Sequence, residues 1–101
     1  MSEQRIPAGD CAGMEQIRAQ VNKVDREIVR LLGERLGYVR AAVAFKPDED
    51  SIRNPDHWDA FFAARRKWAE EEGYDPAVIE AMYRALYDYT VKVQLALHAR
   101  K

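Results

Sequence analysis

The chain has 101 residues, the size of one domain, of which 48% are apolar and 33% charged. It can build a core, but a thin one that leaves surface for a partner to cover. Sixteen Lys and Arg against seventeen Asp and Glu leave a net charge of −1, which excludes the uniformly basic surface of a general nucleic-acid binder. The single cysteine, Cys11, excludes an internal disulfide and lacks the Cys/His company of a structural zinc site. Nothing resembles a signal peptide and no apolar run approaches the roughly 20 residues of a membrane span. The expected compartment is the cytoplasm, with no membrane partner.

Residues 1–13 read as a flexible N-terminal arm and residues 14–101 as a single helical domain. From 14 to about 45, Ile17, Val21, Val24, Ile28, Leu31 and Leu32, then Tyr38, Val39 and Ala42, recur at the steps of three and four that mark a helix face. Gly33 and Gly37 fall inside this stretch, but no Pro, Asn or Ser cluster accompanies them, which favours one continuous helix. Four residues apart, they are either a place for another helix to approach or two tolerated weak points. Residues 46–54 have no period and many turn formers, so they predict a loop. Asn54 then reads as an N-cap with Pro55 opening a second helix that runs to about Glu72, ended by Gly73 as a left-handed cap. Asp75-Pro76 repeats the start signal for a third helix, with Ile79, Met82, Tyr83, Leu86, Thr90, Val93 and Leu97 as its stripe and an end near His98 and Arg100.

The fold class is therefore all-α, a three-helix chain. A first helix of about 32 residues is about 48 Å long, whereas a compact domain of this size has a radius of gyration near about 13 Å. The helix overshoots its own fold, and the expected solution is an intertwined homodimer in which a second copy packs along the exposed length.

Charged and amide side chains on apolar stripes are the candidate chemistry, because burying a charge costs several kcal/mol unless something pairs with it. Arg18, Arg35, Lys46 and Gln94 qualify. Arg35 and Lys46 are eleven residues apart, so on a continuous helix they share a face within roughly 20° and could grip a small anion between them. Arg18 precedes Lys46 by 28 residues, about 42 Å along a straight helix, so only an antiparallel partner helix delivers it to that site. Thr90 and Gln94, one turn apart, offer a hydroxyl and an amide towards one point. The run Arg65-Arg66-Lys67-Trp68 is followed by Glu70-Glu71-Glu72 and reads as a solvated face. His57 and His98 lie on different predicted helices with no metal constellation. No GxSxG, HExxH, Walker or GxGxxG pattern occurs. An enzyme built on these cations would act on an anionic substrate by electrostatic preorganisation.

The segments Asp10-Cys11-Ala-Gly13, Ile17-Arg18, Val24-Asp25, Ile28-Val29, Arg35, Tyr38-Val39, Ala41-Ala42, Phe45-Lys46, Trp68-Ala-Glu-Glu and Gly73-Tyr-Asp75, closed by Gln94, together resemble the all-helical chorismate mutase family over about residues 10–97. Within it they are most similar to the isochorismate-pyruvate lyase branch. The resemblance implies an intertwined dimer of three-helix chains with two equivalent pockets for a small dicarboxylate, and no metal or organic cofactor. Arg18 of the partner subunit and Arg35 would bind the two carboxylates. Lys46 and Gln94 would donate to the ether oxygen of the enolpyruvyl group, Thr90 would line the pocket and Tyr38 would pack near it. Where the mutase pattern has an Arg and a carboxylate that grips the ring hydroxyl, this chain has His57 and Trp58. A Trp side chain accepts no hydrogen bond, which turns the expectation from chorismate towards isochorismate and its conversion to salicylate and pyruvate. Secondary chorismate mutase activity is expected in the same pocket. The alternatives are a chorismate or 4-amino-4-deoxychorismate mutase, and a non-catalytic helical module that binds a metabolite and dimerises.

Overall fold

A computed structural model describes residues 4–100, which are overwhelmingly helical and contain no strand. The chain divides into two compact units, one reaching to Gly37 and the other beginning at Tyr38. Helix α1, Met14–Ala42, runs through Gly33 and Gly37 without interruption, and its 29 residues span about 44 Å.

In the first unit the apolar stripe of α1 has no cover of its own. None of the helix's residues is buried, and Ile17, Val21, Val24, Ile28 and Leu31 remain 38–52% exposed. Another face carries local charge pairs, Arg30 bridging Glu27 at 2.6 Å and Glu34 at 3.3 Å, exposed pairs of the kind that lend a helix modest support. Ahead of α1, Ala8–Asp10 form a single 3-10 turn. The Ile6 N–H donates to Gln20 Oε1 (2.9 Å), the Ala12 N–H to Gln16 Oε1 (2.8 Å) and Lys23 Nζ to the Gln4 carbonyl (3.3 Å).

In the second unit the α-helix gives way at Ala42 to a 3-10 turn, Val43–Phe45, three residues before its expected end. The turn buries Val43 and leaves Phe45 87% exposed. The predicted loop is a correction as well, because it contains a short helix, α2, Glu49–Arg53. Asp48 starts it with a capping box: its side chain accepts from the Ser51 N–H at 2.8 Å while Ser51 Oγ lies 3.4 Å from the Asp48 N–H. Ile52, 2% exposed, is the most deeply buried side chain described. Asn54 stands at the N-cap position of the turn that Pro55 opens, but its side chain makes no capping hydrogen bond. Its left-handed backbone (φ 41°) closes α2, with its N–H donating to the Asp50 carbonyl at 2.7 Å. Asn tolerates that conformation better than most residues, and Pro55 then opens a 3-10 turn, Pro55–His57, so that helix α3 starts only at Trp58 and spans Trp58–Glu71.

The end of α3 follows its residues closely. Gly73 adopts φ 71°, the Tyr74 N–H reaches back to the Ala69 carbonyl (2.8 Å) and the Gly73 N–H to that of Glu70 (3.1 Å), a complete Schellman motif. Asp75 caps helix α4, Pro76–His98, by accepting from the Ala77 N–H at 2.9 Å. Helices α3 and α4 form an antiparallel hairpin, with Phe61 meeting Tyr83 and Trp58 meeting Tyr87, and the thin core of this unit consists of Phe62, Ala69, Val91, Val43 and Ile52. An ion pair from Arg66 to Glu80, itself bridged to Arg84 at 2.9 Å, ties the hairpin together. The basic run on α3 is more than a solvated face, since the Arg65 guanidinium lies 3.4 Å above the Phe61 ring. No helix among the described residues is long and apolar enough to cross a membrane.

Candidate functional site

The second unit brings Lys46, Gln94 and Thr90 together. Lys46 follows the 3-10 turn, and its backbone is already extended, so its side chain leaves the helix end towards α4. There Nζ donates to Gln94 Oε1 at 2.6 Å. Gln94 is 5% exposed, and its Nε2 donates to the Thr90 carbonyl at 3.3 Å, which fixes the amide with its oxygen towards the cation. Thr90, also buried, donates from Oγ1 to the Tyr87 carbonyl at 3.3 Å. Burial holds the Lys46 ammonium below the usual lysine value, because desolvation penalises the charged form. A partly desolvated cation locked against a buried amide suits developing negative charge on a small ligand.

His57 and Trp58 lie at the start of α3 with their rings 5.5 Å apart. The Trp58 indole N–H is committed to the Arg53 carbonyl at 2.6 Å, and its ring sits 4.0 Å from that of Tyr87. Phe61 and Phe62 extend this aromatic cluster along α3. Tyr87 and Arg53 were not among the sequence candidates. Tyr87 carries a visible signal, lying three and seven residues before Thr90 and Gln94 and thus on their face of α4. Tyr38 is 73% exposed.

Arg18 and Arg35 belong to the first unit. Arg18 is exposed and Arg35 half-buried. Both stand on α1, 17 residues apart, or about 26 Å along its axis, too far for one small dicarboxylate to touch both on a single chain. The face-sharing of Arg35 with Lys46 expected from an unbroken helix does not carry over, because the α-helix stops at Ala42. A separate cavity of about 290 Å³ opens beside Trp68, Tyr74, Met82 and Tyr83, near the closed end of the hairpin. Among the described residues no group of His, Cys, Asp and Glu could hold a metal ion.

An all-helical chain that sets a half-buried lysine just past a 3-10 turn against a buried amide on one helix, with arginines spread along another, falls in a class that handles small anions by charge and hydrogen bonding. Residues 17–95 match the family described as chorismate mutase type II, and the chain belongs to that family. Over 86 residues it is 35% identical to the isochorismate pyruvate lyase of Pseudomonas aeruginosa, covering 85% of each chain.

Proposed function

We propose that this chain is an isochorismate pyruvate lyase, releasing pyruvate from isochorismate and leaving salicylate, with slower conversion of chorismate to prephenate in the same pocket. The observation that carries the reading is the Lys46–Gln94 pair, 2.6 Å long and set on a buried amide, in a chain so similar to a lyase. In this pericyclic step the hydrogen on the ring carbon bearing the hydroxyl passes to the methylene carbon of the enolpyruvyl group as the ether C–O bond breaks. Pyruvate leaves and the ring becomes aromatic. Lys46 donates to the ether oxygen as charge grows there, and Gln94, aligned by Thr90, assists through its amide. Folding the substrate so that the methylene lies over the ring supplies the rest of the acceleration. The balance of atoms requires no metal and no organic cofactor.

The carboxylates go to Arg35 and to Arg18 of a second copy, because the two arginines of one α1 stand about 26 Å apart. Half-covering five apolar side chains of α1 with a partner would contribute on the order of 5 kcal/mol per chain, which supports a homodimer with shared pockets. Residues 14–101 act as one helical domain with 1–13 as its arm, in the cytoplasm and without a nucleic-acid or membrane partner. Tyr38 and Thr90 line the pocket, and His57 and Trp58 stand at its mouth. Trp58 offers no acceptor to chorismate's ring hydroxyl, which favours the lyase over a mutase acting on chorismate or 4-amino-4-deoxychorismate. The test is to offer isochorismate, chorismate and 4-amino-4-deoxychorismate separately and identify the products. Salicylate and pyruvate from the first, faster than prephenate from the second, is the expected result. Absence of salicylate would overturn the reading.

A further inference from the structure

Residues 46–53 lie along two turns of α4 and are held at both ends. At one end Lys46 Nζ meets Gln94 Oε1. At the other the Arg53 carbonyl, the last of α2, accepts from Trp58 Nε1 at 2.6 Å and from Tyr87 Oη at 3.3 Å. Tyr87 and Gln94 are seven residues apart on α4, about 10 Å along the axis and on one face, and Thr90 between them is bonded to both. The segment therefore runs antiparallel to α4, with Ile52 buried near its pinned end. Two donors on one carbonyl, from side chains that pack 4.0 Å apart, use both acceptor lone pairs of a helix C-terminus that otherwise goes unsatisfied.

We propose that Trp58 and Tyr87 are positioning residues: by clasping the Arg53 carbonyl they fix the register of residues 46–53 on α4 and so place Lys46 against Gln94 before substrate arrives. The proposal rests on the lyase reading for what Lys46 then does. Trp58 acts through α2, and its indole N–H is not spent on the substrate. When the clasp is open, the lysine is delivered only part of the time. The apparent affinity falls by the fraction of chains in the competent arrangement, while saturating substrate restores that arrangement.

The test compares the full-length chain with Tyr87→Phe, which keeps the ring and removes the donor, with Trp58→Phe, which keeps an aromatic ring of smaller size without the donor, and with the double variant. Hydrogen–deuterium exchange over residues 47–57 is measured beside steady-state kinetics on isochorismate. Removing both donors should speed exchange of that segment by about 5–30-fold and leave the α3–α4 hairpin unchanged. KM should rise about 2–10-fold with kcat nearly constant. Unchanged exchange in the double variant overturns the clasp. Faster exchange with unchanged KM overturns its positioning role, and a fall in kcat alone would assign Trp58 or Tyr87 to the substrate instead. If the double variant does not fold, Tyr87→Phe, which loses one oxygen, gives the same two readouts. If the wild-type chain forms no salicylate the lyase reading fails, and the exchange arm still decides whether the clasp exists.

Discussion

Replacing Lys46 by Met keeps the length of the side chain and removes its charge, and the structure sets what should follow. Two effects on stability oppose one another. Gln94 Oε1 loses the donor it receives at 2.6 Å in a residue 5% exposed, which costs about 1–3 kcal/mol. Against that, the variant escapes the desolvation that depresses the lysine's pKa. The net change should lie within about 1–2 kcal/mol, small beside the roughly 5–15 kcal/mol of an ordinary domain, so Lys46→Met should stay folded. Catalysis has no such compensation, because in the proposed mechanism the ammonium already holds the ether oxygen of bound substrate and that bond strengthens as charge develops there on C–O cleavage. Loss of a donor of this kind lowers kcat by about 10²–10³. Salicylate appearance under saturating isochorismate gives kcat, and thermal unfolding of the same preparation reports the fold. A folded Lys46→Met chain within about threefold of wild-type turnover would refute the assignment of Lys46.

The depressed pKa has a signed consequence. Lys46 must be charged to act, so turnover should fall on the alkaline side at a pH below the ordinary lysine value of 10.5, and a pH profile of kcat checks it. In Lys46→Arg, whatever its level of activity, that limb should move upward, since guanidinium stays charged. Mixing Arg18→Ala with Lys46→Ala chains should restore one intact pocket per heterodimer. No regained activity after confirmed subunit exchange would exclude shared sites. Glu80 is held below the usual carboxylate range first by Arg66 and then by Arg84. A carboxylate whose folded pKa is depressed contributes stability above its unfolded pKa and loses it as pH falls through the folded one. Glu80→Gln should therefore flatten the decline in melting temperature below about pH 4.5, measured by thermal unfolding across that range.

What was legible in the sequence was the chemistry that acts over a few residues. Asp75-Pro76 and Gly73 announce a helix start and stop by side-chain geometry alone, and the structure uses them so. Helix α2 escaped because five residues are too few to show a helical period. Its capping box, Asp48 with Ser51, was nonetheless written in the chain ahead of Ile52. Asn54-Pro55 opens the next turn as its residues announce, but the same Asn also closes α2 in a left-handed conformation, and only the presence of α2 reveals that second role. Lys46 and Gln94 stood out from sequence because each interrupts an apolar pattern, and a buried polar group demands a partner. The structure shows that each answers the other across 48 residues. The clasp on Arg53 carries no such mark. A backbone carbonyl has no sequence signature, and Trp58 and Tyr87, 29 residues apart, look like ordinary core aromatics until the fold sets both donors on one oxygen. Positioning residues of this kind become visible only once the backbone they hold has been placed. Charges such as Arg18 and Arg35 are plain to see in the sequence, and their separation on one helix, about 26 Å, is the reason the proposed mechanism assigns Arg18 to a second copy.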